Sequence, residues 1–272
     1  MCFKKLFSKP DPVIIPDPIV VIIPDPSKPI RHALLFGDNY PDTSYSLSGC
    51  VHDIDDVETK LNKEFPGFII SKFKNAEVTC NRFYTEIKNA LLAGKAGDFL
   101  IIWYSGHGTQ LPSDHEPDSY DEALYLNDGP FTDDKLMELQ QLTPIGMIVC
   151  ANFDSCFSGG MDKAFLIGNP NTVKSKFHQL PGVPLMEKRV VQIAKEESRW
   201  VINAFCQESQ TSADAWFSNR ANGAGTYFYL KCFQPGTTFN QAMINLHKYL
   251  PGNGFEQDPE IIGNESLFNN MF

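Results

Sequence analysis

Two short clusters in this 272-residue chain carry side chains that do chemistry. The first is Tyr104-Ser105-Gly106-His107-Gly108-Thr109, at the end of the apolar run FLIIWY. The second is Asp154-Ser155-Cys156-Phe157-Ser158-Gly159-Gly160, just past the run MIVCANF. A histidine between two glycines past an apolar run does not read as a core residue. Glycine lets the backbone turn tightly and lets a ligand come close to it. A thiol in the same setting is a candidate nucleophile. The thiolate attacks, and a neighbouring imidazole takes its proton and returns it to the leaving amine. His107 and Cys156 suit those roles. The backbone N–H groups of Gly108 and Cys156 suit an oxyanion hole, where the charge of acyl transfer develops. A buried loop thiol and a hydrogen-bonded turn histidine are the plainer readings, and a lone GHG would be weak. Paired clusters at two strand ends are a strong signal.

The surrounding pattern supplies the elements that must position these groups. HALLF at 32–36, FIISKF at 68–73, FLIIWY at 99–104, MIVCANF at 147–153 and RWVINAF at 199–205 read as strands. The runs without alternation suggest strands buried on both faces. Residues 53–61, 80–92, 133–142 and 239–250 read as helices, with a further helical turn at 227–232. Alternating strands and helices argue for an α/β fold with a mostly parallel sheet covered on both faces. Ligands then sit at the carboxyl ends of the strands, where both clusters lie.

Two stretches break the pattern. Residues 1–29 hold the degenerate repeat PDPVII, PDPIVVII, PDPSKP, which reads as an extended proline-rich arm. Residues 163–198 read as a long exposed insertion carrying Lys174, Lys176, Lys188 and Arg189. The domain proper is expected over 30–272.

Composition narrows the function. Lys plus Arg is 23 and Asp plus Glu is 33, giving a formal charge of −10. Such a chain repels a phosphate backbone, so no nucleic acid is expected as partner. No apolar run is long enough for a transmembrane helix. The seven cysteines show no CxxC pair and no zinc spacing, and their odd number argues against a disulfide framework. A cytoplasmic location is expected. Asp114, Glu116, Asp118, Asp121, Glu122 and Asp128 precede Asp133 and Asp134, a set of oxygens that suits calcium or a plain solvated loop. Asp133 and Asp134 also suit the capping of the helix that follows.

Several motifs carry a family resemblance. YSGHGT and DSCFSGG resemble the histidine and cysteine motifs of the caspase-like cysteine peptidases, clan CD and family C14, and more closely those of metacaspases. HALLFGDNY with LSGCVHDIDDV, SYDEALYLNDG with FTDDKL, and INAFCQESQTSADAW with GAGTYFYLK resemble further segments of that family. The resemblance implies a three-layer caspase-like fold around a six-stranded sheet. It implies a His107–Cys156 dyad that cleaves after Arg or Lys. It implies an acidic first pocket from Asp53 and Asp154, lined also by Cys50 and Ser105. Paired carboxylates would hold a guanidinium or ammonium and repel an acidic side chain. The plainer readings make Asp154 a turn residue and Asp53 the N-cap of the first helix.

The calcium-activated members use positions that resemble Asp121, Asp133, Asp134 and Asp162. The insertion resembles a linker that family members cut themselves, with Lys174, Lys176, Lys188 and Arg189 as candidate sites. A monomer is expected. Departures from the family pattern are Asp38, His52, Phe157 and Pro259-Glu260; none touches the dyad. A catalytically silent scaffolding module is the alternative, as is a neutral esterase, which would have no use for paired carboxylates.

Overall fold

The computed structural model describes residues 28–112, 120–156, 173–182, 199–206, 212–217 and 219–270. All but the last two residues of the expected arm lie outside these, as do Asp162, Lys188 and Arg189.

In chain order the elements are β1 (Arg31–Gly37), α1 (Cys50–Glu64), β2 (Phe68–Lys74), α2 (Cys80–Ala93), β3 (Phe99–Ser105), β4 (His107–Pro112), β5 (Tyr120–Leu126) and β6 (Gly129–Thr132). There follow α3 (Asp133–Gln141), β7 (Ile148–Asp154), β8 (Lys174–Ser175), β9 (Trp200–Ala204), β10 (Ala213–Phe217) and β11 (Arg220–Gly223). The chain continues through α4 (Ala224–Cys232), α5 (Phe239–Gly252) and β12 (Glu260–Gly263).

Six strands form the central sheet in the order β12-β9-β7-β3-β1-β2. Five run parallel, and β12 pairs antiparallel with β9 at the edge. The continuous apolar runs have a simple cause. Along β1, Ala33 and Leu35 enter one core with Ile54, Val57 and Leu61 of α1 and Leu246 of α5. Leu34 and Phe36 enter the other, with Phe83, Ile87 and Leu91 of α2. Each strand is therefore apolar on both faces, as a sheet between two helical layers requires.

Two small antiparallel sheets stand beyond the carboxyl ends. One is β4-β5-β6 and the other is β11-β10-β8. They are the elements the sequence pattern does not announce, because their strands lack the continuous apolar runs of the central sheet. The second contains part of the segment expected to be an exposed insertion. That expectation is corrected at its centre: Lys174 and Ser175 are exposed, but Lys176 is wholly buried.

Candidate active site

The strand ends bring the two clusters together. Ser105, the last residue of β3, pairs in register with Asp154, the last residue of β7. Ser105 follows the parity of Trp103, so it faces the α1 side of the sheet, where Asp53 sits in the first turn of α1. The N-cap of α1 is Gly49, so Asp53 is free of the capping role. Its carboxylate instead accepts from Ser105 Oγ (2.6 Å), Asn222 Nδ2 (3.0 Å) and Gly223 N (2.9 and 3.0 Å). Asp154 accepts from Thr226 N (2.8 Å) and from Ser212 Oγ.

Between these carboxylates lies the ammonium of Lys176. Its Nζ is 3.3 Å from Asp53 Oδ2, 3.1 Å from Asp154 Oδ1 and 2.9 Å from Ser105 Oγ. Burial opposes the charge on Lys176, but Asp154, Cys50, Asp53 and Asp214 outweigh it and hold the pKa well above the ordinary lysine value. Burial pushes Asp53 the other way, up to about 7, with Lys176 opposing and Asp154 adding to the rise. Burial likewise raises the Cys50 thiol and the Asp214 carboxyl.

The main chain around Lys176 is held as an added strand. Ser175 pairs with Ala213 and Lys174 with Asp214, antiparallel. Lys176 N donates to Ser212 O (3.0 Å). Most tellingly, Lys176 O accepts from Gly108 N (2.9 Å) and from Cys156 N (3.4 Å), the two N–H groups expected to form an oxyanion hole. The strands meet so closely there that a Cβ on Gly108 would stand 1.9 Å from Cys156 O. Only glycine fits at 108.

His107 is 2% exposed, and its Nε2 lies 2.7 Å from the carbonyl oxygen of Tyr45. A carbonyl only accepts, so the proton sits on Nε2 and Nδ1 carries the lone pair. Nδ1 is buried with no hydrogen-bond partner. Burial lowers the imidazole pKa to about 4, against the Tyr45 carbonyl, so the ring is neutral. The Cys156 sulfur meets Ser212, accepting from its N–H and lying 3.4 Å from its carbonyl oxygen. Cys156 is fully buried, with its sulfur against Ser212 and its backbone N–H on Lys176 O.

Sequence reasoning missed several residues here. Asp214 and Ser212 come from β10 and the turn before it, and Asn222 and Gly223 from β11. A Cβ on Gly223 would stand 2.2 Å from both Asp154 Oδ2 and Lys176 Nζ. Ser212, Asp214 and Gly223 lie within the quoted segments INAFCQESQTSADAW and GAGTYFYLK, but nothing local assigns these four a place at the site; the pairing of β10 with β8 and β11 does. Lys174 points elsewhere, with its Nζ donating to Ser46 O (2.5 Å).

Among the described residues no three His, Cys, Asp or Glu side chains converge as a metal site. Asp133 Oδ1 accepts from Asp134 N (2.8 Å). Asp121, Asp133 and Asp134 therefore do not by themselves gather around a cation, and Asp162, the fourth expected ligand, lies outside the described residues.

A family description, "Metacaspase, peptidase C14 domain", matches residues 31–163, which include the His107 and Cys156 clusters. That stretch of the chain is similar to this peptidase family. The chain is 32% identical over 143 residues to Metacaspase-8 of Arabidopsis thaliana, covering 48% of this chain and 38% of that one. It is 28% identical over 278 residues to Metacaspase-2 of Trypanosoma brucei brucei, covering 91% and 76%. The match thus spans well under half the length of the plant metacaspase. Among solved structures, a protein from Geobacter sulfurreducens aligns with a TM-score of 0.69 at 23% identity, over 89% of this chain and 98% of that one. Caspase-1 of Spodoptera frugiperda aligns at 0.54 and 12%, over 87% and 86%. At those identities the two structures speak for the fold: a largely parallel six-stranded sheet between helical layers. Among the described residues no helix is long and apolar enough to cross a membrane.

Proposed function

We propose that this chain is a metacaspase-like cysteine endopeptidase that cuts after Lys or Arg, and that its own Lys176–Phe177 bond is the first one it cuts. The observation that carries the reading is the seating of Lys176, with its ammonium between Asp53 and Asp154 and its carbonyl on Gly108 N and Cys156 N. A substrate carbonyl needs those donors, and a carboxylate pocket gives a basic side chain a reason to be there.

Mechanism follows from the placement. His107 Nδ1, neutral and unpartnered, takes the Cys156 proton when the sulfur leaves Ser212. The thiolate adds to the Lys176 carbonyl carbon, and the charge moves onto the oxygen held by Gly108 and Cys156. Collapse breaks the bond to Phe177 N, which leaves with the proton from His107. The thioester at Lys176 is then hydrolysed by water, with His107 as base. Asp53 and Asp154 stay fixed throughout and select the side chain. Arg would enter the same pocket with a forked donor suited to paired carboxylates. Until the bond is cut, residues 174–178 block the site, so the intact chain is self-inhibited.

A panel of fluorogenic peptides with Arg, Lys, Asp or Leu before the scissile bond tests the specificity. Turnover confined to Arg and Lys is expected and lost in Cys156→Ala. Cleavage after Asp would refute the pocket assignment, and no turnover from a chain already cut at 176 would favour the silent scaffold.

A further inference from the structure

The chain past the bond is held as firmly as the chain before it. His178 N donates to Gly108 O (2.9 Å), and Thr109 Oγ1 donates to His178 O (2.8 Å). Both partners belong to β4, so the register two residues beyond the bond is fixed. A fixed register lets a side chain at that position be read.

The side chain there meets a built corner. The His178 ring centroid lies 4.0 Å from that of Tyr45 and 4.4 Å from that of Tyr125. The two tyrosine rings meet nearly at right angles, 81° and 6.0 Å apart. His107 closes the third side, with its centroid 5.9 Å from that of His178. Tyr45 comes from the loop after β1 and Tyr125 from β5, elements far apart in sequence. Burial lowers the His178 pKa, so the guest is a neutral flat ring rather than a cation. A neutral ring between two phenol rings is held by ring-face and ring-edge contact, which any aromatic side chain can supply. A carboxylate would lose hydration there without gaining a charged partner.

We propose that Tyr45 and Tyr125 form a specificity subsite for an aromatic ring, including histidine, two residues after the cleaved bond. The proposal rests on reading Lys176–Phe177 as that bond. The peptidase would therefore read two features of a substrate: a basic side chain before the cut and a flat ring two places after it. Asp53 and Asp154 read the first, and the tyrosine corner reads the second.

The test uses the full-length protein after self-cleavage and quenched peptides Lys-Ser-Lys-Phe-X-Gln, with X as His, Phe, Ala or Asp. Tyr125 is the residue to vary, because the Tyr45 ring also packs against the His107 ring, with centroids 5.8 Å apart. Wild type is expected to favour His and Phe over Ala by about tenfold in kcat/KM, the size of one or two aromatic contacts. Asp should do no better than Ala. Tyr125→Ala should bring the His-to-Ala ratio near one, and Tyr125→Phe should retain it. Rates independent of X, or a ratio unmoved by Tyr125→Ala, would overturn the subsite and leave the peptidase reading intact. No cleavage after Lys for any X, with Cys156 still open to an alkylating reagent, would refute the bond assignment and the subsite with it.

Discussion

His107 keeps its proton on Nε2 because Tyr45 offers only a carbonyl, and that leaves Nδ1 as the one ring nitrogen able to accept. His107→Ala is therefore expected to lower kcat by about 10²–10⁴-fold with little change in fold, read by peptide turnover and circular dichroism. The pH profile belongs to a different residue. Burial raises Asp53 to about 7, whereas His107 is lowered to about 4, so the imidazole stays neutral across the working range. A carboxyl with a raised pKa is neutral below that value and attracts an ammonium only above it. Cleavage after Lys should then fall as pH drops below about 7, and Asp53→Asn should flatten that limb while weakening binding. Gly223 makes the steric prediction: Gly223→Ala should abolish cleavage after Lys and Arg, because its methyl takes the space of the ammonium. The clusters that hold His107 and Cys156 stand out in the sequence because each follows an apolar strand, whereas the nearness of Asp53 to Asp154 was implied only by the family resemblance. Gly223 and Asp214 lie in segments that share the resemblance, but their place beside Lys176 comes from strand pairing around β10.

Among the elements, the segment 174–178 lies where the proposed reading puts a substrate strand. It adds to the edge of β10, sets its ammonium between Asp53 and Asp154 and rests its carbonyl on Gly108 N and Cys156 N. Its composition pointed to a cleavable linker, but four basic residues looked alike there, and only strand pairing separates Lys176 from Lys174. Removing the Lys176 ammonium would leave the Asp53 and Asp154 carboxylates facing each other unpaired, at a cost of about 3–5 kcal/mol to the seated state. Lys176→Ala is accordingly expected to unseat the strand. Freshly purified Lys176→Ala should cut a Lys peptide without the lag of wild type, and should itself stay whole at position 176. A lag equal to wild type would place the block elsewhere.

The whole molecule is a two-faced parallel sheet whose loops at one end carry the chemistry. Its layers were legible because β1, β3, β7 and β9 are apolar on both sides, a pattern that few folds other than a covered parallel sheet produce. The small sheets and antiparallel β12 were not, since their strands, such as HGTQLP, YDEALYL and RANG, lack the continuous apolar run that marks β1, β3, β7 and β9. The same architecture predicts where stability resides. Phe83 packs against Phe36 at 4.6 Å and Phe131 at 5.0 Å in the core beneath α2. Phe83→Ala should cost about 3–5 kcal/mol in denaturant unfolding.

On the proposed reading Lys176 occupies the active site as the chain's own substrate. Intact-mass and N-terminal sequencing of purified protein, incubated beside Cys156→Ala, tests this. A Met1–Lys176 fragment and a second fragment that begins at Phe177 are expected, from the wild type alone. A first cut at any other bond, or fragments also formed by Cys156→Ala, would contradict it.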